Sequence, residues 1–186
     1  MLINNETIIK DDNPLIRERS EKVEIPLSKE DEELVLSMLK YVKDSTDEEL
    51  AKKYDLRAAV GISAIQLGIK KKLCAIALKD ENGNIMCEYA LANARIVSES
   101  VEQSYLKSGE GCLSVAKEYE GYVPRHARVK VKAYDVINKK DIELKLKGYL
   151  AIIFQHEIDH FSGILFYDHI NKANPFYEIP EAFVIE

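Results

Sequence analysis

The feature that most constrains this chain is an apolar run that leads directly into a pair of histidines. Residues 149–154 are almost all apolar, and the pattern His-Glu-x-x-His follows at 156–160. On a helix, residues four apart lie on the same face, so two imidazoles can hold one metal ion. The alternative is a solvated helix face with hydrogen-bonded histidines. Because the apolar run indicates a buried helix, and buried His and Glu side chains need partners, the metal site is favoured.

A hydrolytic metal site also needs a proton acceptor and a third protein ligand. Glu157 follows the first histidine, where it can take a proton from a water held by the ion. The longer metalloprotease pattern fails at Phe166, which stands where a third histidine would be. Downstream, Glu178 and Glu181 are candidate acidic ligands, and upstream Cys112 is a better candidate. The residues alone therefore leave the third ligand open.

The rest of the chain predicts an α+β fold. Apolar residues at helical spacing after Ser28 predict a helix over 29–43, and a short helix is predicted over 47–54. The predicted strands are 73–78 paired with 85–90, 129–133 paired with 142–146, and a terminal strand within 176–185. We expect antiparallel β-sheets surrounding a central metal-binding α-helix, in one domain spanning 1–186.

Composition and charge argue against several classes of function. The net charge of -6 comes from both signs spread along the chain, whereas a nucleic-acid surface needs clustered basic residues. No apolar stretch approaches a membrane span, and the N-terminal residues lack the pattern of a secretion signal. Three cysteines are an odd number for a disulfide framework. We therefore expect a cytoplasmic protein that binds neither nucleic acid nor membrane. We also expect a monomer, which the composition does not test.

Three segments, in this order, resemble the peptide deformylase family. They are a glycine-containing segment ending in Gln, then Glu-Gly-Cys-Leu-Ser, then His-Glu-x-Asp-His, and they occupy 60–66, 110–114 and 156–160. The resemblance covers most of the chain. A longer stretch between Cys112 and Val123 is similar to the type II branch of the family, which is found in Gram-positive bacteria.

The resemblance implies a reaction and a metal site. The reaction is removal of the N-formyl group from the formyl-methionine of nascent polypeptides near the ribosome, with release of formate. Glu157 would act first as general base and then as general acid. Fe(II) is the expected metal, and Zn, Ni or Co can replace it. An ion pair between Arg125 and Asp159 is expected to brace the metal helix. The implied ligands of one divalent ion are Cys112, His156 and His160.

The resemblance also implies contacts to the substrate. Gln66 and the backbone N–H of Leu113 would face the oxygen that becomes negative during the reaction. Gly61 would let the substrate backbone approach closely. Without the resemblance, Gln66 would mark the end of a helix or turn, and Gly61 would mark a bulge or a turn. The apolar residues of the expected methionine pocket are also ordinary core positions. The expected substrate-binding residues are Val60, Gly61, Gly111, Tyr149, Ile152 and Ile153.

The first of the three segments departs from the family pattern, and two other functions stay open. The family usually has Gly at Ala59, Ala at Ser63 and Pro at Ile65, so the shape of the substrate-binding edge is expected to differ. One alternative function is a metalloprotease that uses Glu178 or Glu181 as third ligand. The other is a non-enzymatic, degenerate homologue that only binds metal.

Overall fold

The computed structural model describes residues 2–186, and within them it contains three α-helices and eight β-strands. The helices are α1 (Lys29–Ser45), α2 (Glu48–Tyr54) and α3 (Gly148–His160). The strands are β1 (Gly61–Ser63), β2 (Leu73–Lys79), β3 (Ile85–Glu99), β4 (Gln103–Leu106), β5 (Arg125–His126), β6 (Arg128–Asp135), β7 (Lys140–Lys147) and β8 (Phe183–Ile185). The predicted α+β class is confirmed.

The strands form two sheets. The larger has the order β1-β2-β3-β6-β7, and every neighbouring pair is antiparallel. The smaller has the order β5-β4-β8. Both predicted hairpins are present, as β2 with β3 and as β6 with β7. Because β1 is an edge strand of the larger sheet, one side of its backbone is not paired with another strand.

Helices cover both faces of the larger sheet. Side chains alternate between the two faces of a strand, so Ala75 and Ala77 of β2 pack in the cluster that contains α1, whereas Cys74 and Ile76 pack in the cluster that contains α3. This burial on both faces explains the nearly continuous apolar run of β2. Since α3 also contacts β4 and β5, it occupies the central position expected for the metal-binding helix.

The start of α3 is set by a sharp change of backbone direction at the end of β7. Lys147 is extended, with φ −144°, and Gly148 has φ 63°, a left-handed conformation that favours glycine. The chain therefore enters the helix directly after the strand. Ile153 and Phe154 then pack on the larger sheet. Although α3 is apolar, no helix within residues 2–186 combines the length and composition needed to cross a bilayer.

The C-terminal segment differs from the prediction. Only Phe183–Ile185 forms a strand within the predicted 176–185, and this strand, β8, runs parallel to β4. Pro175 and Pro180 lack the N–H that a strand ladder needs, and the residues near them form turns and loops. A parallel pair requires a long connection, which is provided here by all the chain between β4 and β8.

Replacement of Phe154 by Ala is expected to lower the free energy of unfolding by about 3–5 kcal/mol. The ring is fully buried and meets Tyr89 edge-on, with 5.3 Å between ring centroids. Urea denaturation measures the change. Val101, which is 95% exposed, provides the control, because Val101→Ala should change the free energy of unfolding by less than about 0.5 kcal/mol. A loss below about 1 kcal/mol for Phe154→Ala would contradict the described packing.

Candidate metal centre and substrate cleft

Three predicted ligands converge between the sheets. Cys112 comes from the loop after β4, whereas His156 and His160 lie one turn apart on α3. One ligand atom from each residue lies within 4.8 Å of the other two. Within residues 2–186, no other three His, Cys, Asp or Glu side chains bring their ligand atoms this close together. Sγ of Cys112 is 3.5 Å from Nε2 of His160. Glu178 and Glu181, the acidic alternatives, are exposed and lie outside the group. A thiolate and two imidazoles at this spacing fit a tetrahedral divalent ion with one open position.

Ionisation of the cysteine suits a ligand role. Burial opposes the thiolate, but the charges and hydrogen bonds of His160 and His156 lower the pKa of Cys112 to about 5. Burial likewise opposes a charged His156, yet hydrogen bonds with Cys112 and Glu110 raise its pKa. Because the thiolate is the form that binds metals, Cys112 is in its ligand form at neutral pH.

Glu110 fixes the orientation of His156. One of its carboxylate oxygens, Oε2, lies 2.8 Å from Nδ1 of His156. Arg125 donates to both oxygens of Glu110, at 2.8 and 2.9 Å. Burial raises the pKa of Glu110, but Arg125 and His156 outweigh it and bring the pKa down to about 2. A carboxylate only accepts hydrogen bonds, so Nδ1 of His156 donates to Glu110 and Nε2 is the nitrogen that would bind a metal, in place of the proton that it carries in the imidazolium form. Glu110 was not predicted from the sequence, although it begins the Glu-Gly-Cys-Leu-Ser segment.

The ion pair predicted between Arg125 and Asp159 is present and extends this network. Nη1 of Arg125 lies 2.5 Å from Oδ2 of Asp159, and Nε2 of His169 lies 2.8 Å from the same oxygen. Burial raises the pKa of Asp159, but the hydrogen bond from His169 and the charge of Arg125 lower it below its ordinary value. Arg125 therefore connects the loop that carries Cys112 to the helix that carries the histidines.

Glu157 is enclosed between α3 and β1 and is 4% exposed. The hydroxyl of Ser63 lies 2.8 Å from Oε2 of Glu157 and 2.9 Å from its main-chain oxygen. A Cβ atom on Gly61 would lie 2.4 Å from Oε1 and 2.9 Å from Cγ of Glu157. A side chain at position 61 would therefore displace the carboxylate of Glu157, a contact that was not predicted from the sequence. Burial raises the pKa of Glu157, and the two histidines and Ser63 oppose the rise.

The predicted oxyanion donors also lie beside the ligands. Oε1 of Gln66 accepts the backbone N–H of Ser63 at 2.8 Å, which turns Nε2 towards Ser114 Oγ at 3.2 Å and Cys112 Sγ at 3.4 Å. The carbonyl of Leu113 accepts from Lys10 Nζ at 2.8 Å. Its backbone N–H has no hydrogen-bond partner among residues 2–186. The N–H of Leu113 is therefore available near the ligand group, whereas Nε2 of Gln66 already donates to Ser114 and Cys112.

A cleft of about 360 Å³ opens onto this group. Its walls include every residue predicted to contact substrate: Val60, Gly61, Gly111, Tyr149, Ile152 and Ile153. Tyr149 is 41% exposed at the mouth, whereas Ile152 and Ile153 are buried. The carbonyl of Val60 accepts from Ala77 of β2, and backbone groups alternate direction along a strand. The N–H and C=O of Gly61 therefore point to the unpaired edge, where an extended peptide can add.

The three departures from the family pattern lie in different surroundings. Ala59 lines the cleft, with its backbone N–H and C=O both bonded to Ser45 Oγ, at 3.2 and 3.3 Å. Ser63 and Ile65 are fully buried. Ser63 faces Glu157, and Ile65 packs in the same cluster as Cys112. Of the three, only Ala59 lines the cleft.

Comparisons with known proteins agree with one another. A sequence model described as polypeptide deformylase matches residues 5–176. A peptide deformylase of Oceanobacillus iheyensis is 52% identical over 180 residues, covering 97% of each chain. Peptide deformylase 2 of Bacillus subtilis is 48% identical over 185 residues, covering 100% of each chain.

Solved structures give the same result at lower identity. A peptide deformylase from Thermus thermophilus superposes with a TM-score of 0.71 at 28% identity, covering 90% of this chain and 86% of that chain. A probable peptide deformylase from a Synechococcus phage has a TM-score of 0.69 at 29% identity, covering 88% of this chain and 98% of that chain. The chain belongs to the polypeptide deformylase family, whose members are metal-dependent hydrolases that remove N-formyl groups from nascent peptides.

Proposed function

We propose that this chain removes the formyl group from the N-terminal formyl-methionine of nascent polypeptides, with Cys112, His156 and His160 as ligands of one divalent metal ion. The observation that carries the proposal is the convergence of these three side chains beside a cleft of about 360 Å³, whose walls include Cys112 and His156. Enclosure of Glu157 beside them adds a group that can move a proton. The metalloprotease alternative is not favoured, since its acidic ligands lie outside the group.

The metal site suits Fe(II), because one thiolate and two imidazoles are ligands of intermediate softness; Zn, Ni or Co can replace it. When bound, the divalent ion supplies Lewis-acid chemistry towards the formyl carbonyl and the attacking water. The chain contributes a thiolate that is ionised at neutral pH, since the pKa of Cys112 is about 5. Glu110 accepts from Nδ1 of His156, so Nε2 is the nitrogen that would bind the ion.

Glu157 moves the proton in this proposal. It accepts a proton from the attacking water as the new C–O bond forms at the formyl carbon. It then returns the proton to the peptide nitrogen as the C–N bond breaks, which leaves formate and a free amino terminus. Because burial raises the pKa of Glu157 above that of an exposed glutamate, the carboxyl group is better suited to both steps.

Binding of the substrate uses the sheet edge and the apolar wall. The extended formyl-methionyl backbone pairs with the unpaired side of Gly61, and the methionine side chain lies against Val60, Ile152 and Ile153. The N–H of Leu113 donates to the oxygen that becomes negative, and Nε2 of Gln66 does so by exchanging one of its present acceptors, Ser114 or Cys112. Preorganised donors of this kind contribute about 3 kcal/mol each to the stability of the transition state.

The substrate determines the setting that we propose for the reaction. Formylated chains emerge at the ribosome, so we place the reaction in the cytoplasm near that site and assign it to a monomer with one catalytic domain spanning 1–186. The chain has a net charge of -6, and recognition relies on the peptide backbone and an apolar side chain. Direct contact with nucleic acid or membrane is therefore not part of the proposal.

Release of formate from formyl-Met-Ala-Ser tests the function. Protein prepared anaerobically with Fe(II) should turn over with about one metal ion per chain. Glu157→Ala should keep the metal and lose at least about 100-fold in kcat.

Replacement of Cys112 by Ser tests the ligand set. Cys112→Ser should lose both metal and turnover, whereas Cys87→Ser, at a half-buried cysteine outside the site, should lose neither. Full metal content without turnover in the wild type would instead identify a binding homologue, and full activity of Cys112→Ser would refute the ligand set.

Replacement of Glu110 by Gln should weaken metal binding by about 10- to 100-fold, because His156 loses the carboxylate that orients it. Competition with a chelator measures the dissociation constant. Glu102→Gln is the matched control, since Glu102 pairs with Arg128 on the exposed surface. Equal metal affinities in the two variants would show that Glu110 does not orient the ligand.

Replacement of Gly61 by Ala should displace the carboxylate of Glu157 and lower kcat by about 100-fold. The three atoms nearest to the added methyl group all belong to Glu157, and none belongs to a metal ligand. Metal content should therefore stay at the wild-type value. Steady-state kinetics and metal analysis on one preparation check both parts, and an unchanged kcat would show that Glu157 tolerates displacement.

A further inference from the structure

A serine hydroxyl makes the only hydrogen bond to the Glu157 carboxylate within residues 2–186. Ser63 is fully buried on β1, so its hydroxyl cannot donate to bulk water, and an unpartnered buried hydroxyl would be unfavourable. The acceptors that it reaches are Oε2 of Glu157, at 2.8 Å, and the main-chain oxygen of Glu157, at 2.9 Å. Because a hydroxyl carries one proton, it donates to one of these oxygens at a time.

The carboxylate is also confined from a second direction. Gly61 and Ser63 lie two apart on β1, so they face the same side of the strand. The Cα of Gly61 packs closely against Cγ, Cδ and Oε1 of Glu157, as the 2.4 to 2.9 Å distances from a hypothetical Cβ indicate. A glutamate side chain has several rotamers, and contact at Gly61 together with a bond at Ser63 favours one of them.

We propose that Ser63 is a positioning residue for Glu157: its hydroxyl holds Oε2 and leaves Oε1 as the oxygen that carries the proton between water and the leaving amine. This inference rests on the role proposed above for Glu157. Ser63 has a second, separate contact, because its backbone N–H donates to Gln66 at 2.8 Å. Replacement of the side chain therefore removes the bond to Glu157 and keeps the bond to Gln66.

Ser63→Ala tests the proposal. The variant removes a buried hydrogen bond to a charged group, so kcat should fall about tenfold while KM and metal content stay at wild-type values. Ser63→Thr keeps the hydroxyl and should restore kcat to within about threefold of wild type. Ser104→Ala is the matched control, because Ser104 is also buried but its hydroxyl has no partner among the described residues. This control should keep wild-type kinetics.

A second measurement separates positioning from a merely structural bond to the main-chain oxygen. In a Glu157→Gln background the proton carrier is already lost, so adding Ser63→Ala should change the residual rate by less than about twofold. An equal loss in both backgrounds would overturn the proposal, and so would a kcat for Ser63→Ala within about twofold of wild type. A wild-type protein without turnover would overturn the proposed function as well, whereas an active wild type with an unaffected Ser63→Ala overturns the role of Ser63 alone.

Discussion

Burial of α3 requires every ionisable group near its ligand face to have a partner. A charge removed from water without compensation costs several kcal/mol, yet His160, Glu157 and Arg125 are all at most 4% exposed. These charged groups have partners in the structure, and the exception among the buried nitrogens is Nδ1 of His160, which has no hydrogen-bond partner within residues 2–186. The thiolate of Cys112 faces the two histidines, and Arg125 lies between two carboxylates. The position of the helix and the arrangement of these charges are therefore two aspects of the same constraint.

The same constraint explains how an irregular loop can hold a ligand. Cys112 lies outside any helix or strand, so backbone hydrogen bonds of a regular element do not fix it. Side chains from distant parts of the chain fix it instead. Lys10 bonds the carbonyl of Leu113, Gln66 bonds the hydroxyl of Ser114, and Arg125 bonds Glu110. Three contacts within five consecutive loop residues leave little freedom for the thiolate, as a preorganised metal ligand requires.

Hydrophobic periodicity predicted the helices and strands whose extent depends on the local sequence. It failed for strands whose extent or direction depends on the neighbouring strand. The apolar alternation of 129–133 and 142–146 is sufficient for a hairpin, and α1 extends only to Ser45, just beyond its predicted end. In contrast, β3 continues to Glu99 through polar residues because β6 pairs with it. The parallel pairing of β8 has no local signal. The length of β3 and the direction of β8 are determined by the strands that pair with them, and the sequence of one strand alone does not indicate its partner.

The site shows the same division between motif and contact. The spacing of His156 and His160 on a helix is a local property, so the sequence predicts it. The contacts of Glu110 and Ser63 with the metal helix join residues 46 and 94 positions apart, and nothing in the spacing of either residue indicates them. Gly61 combines both cases. Its place in a glycine-containing segment identifies it in the sequence, but its close contact with the carboxylate of Glu157 is seen only in the structure. A motif thus identifies the groups that react, and the residues that hold those groups become visible only when the strand and the helix are placed side by side.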